Sequence, residues 1–200
     1  MKELLKKVLP FLSIGRVIYR VPWSRKIFLT FDDGPNPDFT PAVLKVLKDY
    51  SVTATFFLQG SKAQSYPDLV QEIIRQGHTI ANHTFSHADF SMLSPKKILQ
   101  EISQCRKIID DHYVLRPPHG GINLISMLLS IILKYKLVFW SIDSLDYQKF
   151  SSDQIINNVL QENPKQGDVI LCHDKNKNIV KALPEIIENV NSKGLVWGRF

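Results

Sequence analysis

Cysteine is scarce in this 200-residue chain, with Cys105 and Cys172 the only two. Two thiols cannot build a disulfide scaffold or a cysteine-rich metal cluster, and they leave the redox compartment open. No run of 18 apolar residues occurs, which argues against a membrane-spanning helix. Internal repeats, low-complexity stretches and linkers are also missing. Intrinsic disorder is excluded by composition, since 44% of the residues are hydrophobic and 22% charged. One domain is expected at this length, able to bury roughly 70% of its unfolded surface without staples.

Acid is nearly missing from the start of the chain. Residues 1–26 hold Glu3 against seven bases: Lys2, Lys6, Lys7, Arg16, Arg20, Arg25 and Lys26. The whole chain has 25 bases and 19 acids, so the other 174 residues hold 18 of each and are neutral. A neutral body offers no basic groove, and no nucleic-acid partner is expected. Leu4, Leu5, Val8, Leu9 and Leu12 fall at helical spacing among the lysines. Three readings stay open for this stretch: a helix packed on the domain, a peripheral membrane contact through residues 1–22, or a cleaved signal. Pro10 interrupts any long helix, and no small-residue cleavage site precedes Arg16.

Beyond Lys26, short β-type runs alternate with helical stretches. Strands are expected at 27–31, 53–58, 79–81, 114–115, 138–142 and 169–171. Helices are expected from Thr40-Pro41 (as cap and first residue), at 67–76 closed by Gly77, at 94–112, at 122–134, from Asp153, and through Val190. The largely apolar 122–134 stretch is too short to span a bilayer and reads as buried. Strand–helix alternation over the full length implies parallel pairing with right-handed crossovers. The fold class expected is α/β, a single-domain distorted (β/α)7-type barrel of parallel strands, with chemistry at the C-terminal strand ends.

Five polar clusters stand where those strands end. In Thr30-Phe31-Asp32-Asp33-Gly34-Pro35, adjacent carboxylates point in different directions, so one can bind a metal while the other faces a reactant. His83-Thr84-Phe85-Ser86-His87 sets two histidines four apart, a spacing that on one helical turn lets both grip one ion. Thr84 stands where a zinc-peptidase motif has glutamate, so a water-activating base must come from elsewhere, and an aspartate of the first cluster is free for it. One carboxylate with this histidine pair leaves coordination positions open, a catalytic rather than structural arrangement. The third cluster, Arg116-Pro117-Pro118-His119-Gly120, fixes an arginine and a backbone amide on a rigid turn. The fourth runs from Trp140 to Tyr147 and holds Asp143 and Asp146. The fifth is Leu171-Cys172-His173-Asp174, where Leu171 and His173 share a strand face and Cys172 points the other way, under the helices.

In this order and spacing the clusters resemble the polysaccharide deacetylases of carbohydrate esterase family 4, the family sharing the nodulation-factor deacetylase domain. The resemblance runs from about Lys26 to Val190, which sets a basic apolar N-terminal segment (1–25) before a catalytic domain (26–200). It implies a hydrolase that removes the N-acetyl group from an N-acetylated amino sugar. By the same resemblance Asp33, His83 and His87 bind a divalent metal, usually zinc in this family. Asp32 takes a proton from the metal-activated water, and His173 protonates the leaving amine. Arg116 and Asp146 steady the base and the acid, and a backbone amide near His119, on the Pro118 turn, stabilises the oxyanion. Leu171 and Tyr147 wall the acetyl methyl. Two positions depart from the family pattern: His119 stands for an aromatic residue or arginine, and Tyr147 for a tryptophan.

No carbohydrate-binding module or evident secretion signal is present. A small or lipid-linked N-acetylated oligosaccharide met in the cytoplasm, peripherally at the inner membrane face, is therefore expected over an extracellular polymer, with an atypical export route left open. Three other readings fit parts of the pattern. A mononuclear non-haem iron site shares the ligand triad but belongs in double-stranded β-folds. A non-catalytic glycan-binding domain would lack a base or ligand, and none is missing. A deformylase of a lipid-linked formamido sugar differs by one methyl in the pocket, worth about 1–3 kcal/mol.

Overall fold

The computed structural model describes residues 16–200. The apolar repeat of residues 4–12 lies outside the described residues. Among the described residues nine strands form one sheet, and every pair is parallel. They are β1 (Val17–Ile18), β2 (Lys26–Gly34), β3 (Thr55–Leu58), β4 (Thr79–Asn82), β5 (Val114–Leu115), β6 (Lys136–Val138), β7 (Ile142–Asp143), β8 (Val169–His173) and β9 (Val196–Gly198). The order is β1-β6-β5-β4-β3-β2-β8-β7, with β9 on the start of β2. β6 and β7 lie towards opposite ends of this order yet are joined by residues 139–141 alone, so the ends sit within about 14 Å of each other. The sheet is therefore curled into an open parallel barrel, the α/β architecture that the strand–helix alternation predicts.

Seven α-helices of the described residues lie between the strands: α1 (Thr40–Asp49), α2 (Gly60–Ser65), α3 (Pro67–Arg75), α4 (Pro95–Arg106), α5 (Leu124–Ile132), α6 (Ser152–Leu160) and α7 (Lys177–Ser192). Period-two alternation in the strands divides the core in two. Ile27, Leu29, Phe31, Phe56, Leu58, Ile170 and Cys172 face the helices. Phe28, Phe57, Ala81, Val114, Val138 and Val169 fill the barrel interior. Going up each strand by twos from that apolar layer leads to Thr30 and Asp32, His83, Arg116, and Leu171 and His173, which is how the pleat raises a polar layer at the C-terminal end.

Several expectations need correction. Thr40 does not cap α1; Phe39 holds the cap position, and Thr40 Oγ1 instead accepts from Asn36 N (2.7 Å) and donates to Asp174. The 94–112 helix stops at Arg106, because Asp111 turns inward to accept from Tyr135 and from Asn82 (2.9 Å). The 138–142 strand is broken into β6 and β7 by the bend between them. β1 and β9 extend the sheet beyond the expected set, and β1 comes from within the basic N-terminal segment. The apolar 122–134 stretch is only partly buried: α5 buries Ser126 and Ser130 and packs Met127 and Leu129 half-buried on the core, but leaves Leu124, Ile125, Leu128 and Ile132 exposed.

Candidate active site

Asp32 and Asp33 end β2, and a break in its ladder makes both usable. Asp32 pairs with Phe57 and Gly34 with Leu58, so Asp33 is left out of register as a bulge. Its φ of 70° swings the carboxylate back toward the barrel mouth rather than into the helix layer. Gly34 is required just after it, since a Cβ there would lie 2.5 Å from Asp174 Oδ2. Burial pushes Asp174 up to about 7, with the Thr40 hydroxyl opposing the shift.

His83 and His87 are not on a helical turn, which corrects the spacing argument. Their segment is irregular, with Thr84 and His87 at φ of 66° and 65°. The loop is built from its surroundings instead. Asn82 Oδ1 accepts from Thr84 N (2.8 Å), and Thr84 Oγ1 accepts from His87 N (3.1 Å). Glu101 of α4 accepts from Phe85 N (3.0 Å), Ser86 N (2.7 Å) and the Ser86 hydroxyl (2.8 Å). Asn82 and Glu101 carry no motif, and sequence reasoning missed both. The same holds for Lys62, which donates to the Asp33 carbonyl (2.7 Å), and Lys175, which lies 3.1 Å from Asp33 Oδ2.

The result is a triad. Asp33 Oδ1 faces His87 Nε2 at 2.9 Å and His83 Nε2 at 3.4 Å, and one atom from each residue falls within 4.8 Å of the others. His83 Nδ1 lies 2.7 Å from the Arg116 carbonyl and donates to it, which turns a lone pair on Nε2 toward the triad. Burial alone would raise the Asp33 pKa, but the two imidazoles outweigh it and hold the group far below the ordinary carboxylate range. An ionised carboxylate and two imidazole nitrogens around one point fit a divalent cation.

Beside the triad stand two pairs. Arg116 is fully buried, and its guanidinium donates to Asp32 Oδ1 (2.7 Å), Thr30 Oγ1 (2.9 Å), Val138 O (3.0 Å) and Phe139 O (3.0 Å) over the Phe57 ring. Asp32 Oδ2 is left turned toward His83 Nε2 at 3.8 Å. His173 Nδ1 lies 2.7 Å from Asp146 Oδ1, and His173 N donates to Asp146 Oδ2 at 2.8 Å. Burial pulls the His173 pKa down, but the hydrogen bond and charge of Asp146, with Asp32 and Asp33 beyond, more than offset it and hold the imidazolium above its usual range.

The remaining sequence candidates fall around this centre. His119 is exposed at φ 57°, its ring edge-on to His87 with centroids 4.6 Å apart. Pro118 is buried beneath it. Tyr147 is half-exposed and stands edge-on to His173 at 5.4 Å. Leu171 is buried, in register with Thr30 on one side and Asp143 on the other. Cys172 points into the helix-side core, as the strand alternation predicts.

Three comparisons bear on this geometry. A family model described as polysaccharide deacetylase matches residues 21–138. A peptidoglycan-N-acetylglucosamine deacetylase of Bacillus cereus is 34% identical over 197 residues, covering 92% of this chain and 71% of the relative. A chitooligosaccharide deacetylase of a Bradyrhizobium strain is 33% identical over 174 residues, covering 83% and 78% respectively. The fold agrees as well: a crystal structure of a peptidoglycan N-acetylglucosamine deacetylase superposes with a TM-score of 0.89 at 32% identity, covering 96% of this chain and 94% of that one.

Proposed function

The chain belongs to the polysaccharide deacetylase family of metal-dependent hydrolases acting on N-acetylated sugar amides, and from that premise we propose how its own residues divide the work. Asp33, His83 and His87 hold the metal, which we take to be zinc. When bound, such a cation polarises the amide oxygen and makes a water more acidic. Asp32 accepts the water's proton at Oδ2, because Arg116 occupies Oδ1 and fixes the carboxylate plane. His173 gives its proton from Nε2 to the departing amine, which leaves poorly unprotonated. Asp146 holds the ring for that transfer through Nδ1. A backbone amide near His119, whose ring stands edge-on to His87, would stabilise the developing oxyanion. Leu171 and Tyr147 bound the space for the acetyl methyl.

The observation that carries this reading is the convergence of three groups at one barrel mouth: a cation triad, an arginine-clamped carboxylate, and a carboxylate-clamped imidazole. The named relatives act on peptidoglycan and on chitooligosaccharides, and the N-acetylglucosamine amide common to both is the unit we propose for this chain. A lipid-linked oligosaccharide met at the cytoplasmic membrane face is the form we favour, on the basic, apolar character of residues 1–22. The test is acetate release from N-acetylglucosamine oligomers by zinc-restored protein. Asp32→Asn is expected to lose about 10²–10⁴-fold in rate while still binding zinc. His83→Ala is expected to lose both. Full activity in either variant would reject the assignment.

A further inference from the structure

The ring of helices has a gap, and an unusual helix stands beside it. β6 passes to β7 through residues 139–141 with no helix between them, so the barrel wall lacks one crossover there. The gap is a slot of about 810 Å³ walled by Tyr19, Phe139, Trp140, Leu124 and Met127. Its upper end reaches His119 and Asp143 at the barrel mouth, so the slot is continuous with the rim of the active site.

α5 forms one side of this slot and is apolar on its outer side as well as its inner one. Its fully buried residues are Ser126 and Ser130, whose hydroxyls are satisfied locally by Asn123 O (2.9 Å) and Ser126 O (2.8 Å), while Met127 and Leu129 pack half-buried against the core. Its solvent face is apolar: Leu124 is 66% exposed, Ile125 52%, Leu128 48% and Ile132 73%. A helix on the surface of a globular domain ordinarily buries such residues and exposes polar ones. No residue of α5 is charged, and the charges that follow it directly, Lys134 and Lys136, are exposed and basic. The chain enters the described structure at Arg16 and pairs through β1 with β6, the strand that follows α5.

We propose that the α5 face is a docking surface for an anionic lipid bilayer, and that the slot is the route by which a membrane-borne amino sugar reaches the barrel mouth. Apolar side chains facing outward with basic residues at the border match the two layers of such a surface: acyl chains below, phosphates above. Nine residues rise only about 14 Å, so α5 lies against a bilayer and cannot cross it. Bilayer docking stands on the surface itself; only the role given to the slot rests on the deacetylase reading.

The experiment is vesicle flotation of the full chain with phosphatidylcholine alone and with phosphatidylglycerol added, set beside an Ile125→Ser/Leu128→Ser/Ile132→Ser variant. These three side chains are exposed and lie outside the slot and the active site. Soluble-oligomer deacetylation and the melting temperature of the variant are therefore expected to match the parent. The parent is expected to float with phosphatidylglycerol-containing vesicles, and the variant to lose roughly ten-fold or more in vesicle affinity. Equal flotation of parent and variant would overturn the proposal, since the N-terminal segment alone would then carry binding. Absence of flotation by the parent would overturn it too. So would a parent dimer that the variant splits in sedimentation, because a second copy would then cover the face. A parent that floats but releases no acetate from soluble oligomers would count against the deacetylase reading and leave docking standing.

Discussion

Two imidazoles in this site differ in what their Nδ1 atoms hold, and that difference suits the opposite tasks proposed for them. His83 donates to a neutral carbonyl, that of Arg116, which orients the ring as a ligand. His173 meets the Asp146 carboxylate, which stabilises the protonated ring and prepares it as an acid. The sign of the resulting pH dependence follows directly. A raised pKa keeps His173 protonated to higher pH, so activity is present below that value and falls as pH rises through it. Asp146→Asn removes the supporting charge, and the alkaline limb of the kcat profile is expected to move down by about one unit or more. An unmoved limb would show that His173 is not the acid. The motif residues themselves were legible from sequence because each follows a β-type run and must therefore cluster at one barrel end. What made Asp33 usable was not: its left-handed φ, the ladder break beside it and the close approach of Gly34 to Asp174 are tertiary features that no local pattern records.

Among the elements, the loop from His83 to His87 is the clearest case of structure imposed from outside. Four-residue spacing suggested a helical turn, yet two left-handed residues and the side chains of Asn82 and Glu101 shape it instead. Glu101 is the sole acid of α4, but it stands in no motif and follows no strand, so nothing in the sequence marks it. Glu101→Ala strands the Phe85 and Ser86 amides and loosens His87. The expected outcome is a zinc affinity lower by about 10–100-fold with the fold retained, read by competition with a chromophoric chelator. Unchanged affinity would show that the loop is held by Asn82 and Thr84 alone. α5 illustrates a second limit of sequence. Composition reports that a stretch is apolar but not how much of it is covered, and here two internally satisfied serines share the inner side with Met127 and Leu129 while four apolar residues stay exposed.

Across the whole molecule, the alternating strand–helix pattern carried the architecture, because parallel pairing with right-handed crossovers leaves few arrangements for such a chain. The β6–β7 junction leaves no mark in the sequence, because residues 138–142 are uniformly apolar or aromatic apart from Ser141 and read as one strand. The triad draws on β2 and on the loop after β4, with α4 behind it, so an ion held there braces elements distant in sequence. A chelator is expected to lower the melting temperature of the zinc-loaded chain by about 5 °C or more, with recovery on adding zinc. His87→Ala is expected to melt at the same temperature with and without zinc. An equal zinc-dependent shift in that variant would place the ion elsewhere.

The most direct test of the account is a zinc titration of metal-stripped protein, following bound metal and acetate released from N-acetylglucosamine oligomers together. Acetate release that rises in step with bound zinc, saturates at one ion per chain and is absent with His83→Ala is the predicted result. Acetate release at zero bound metal, or a His83→Ala variant as active as the parent, would contradict it.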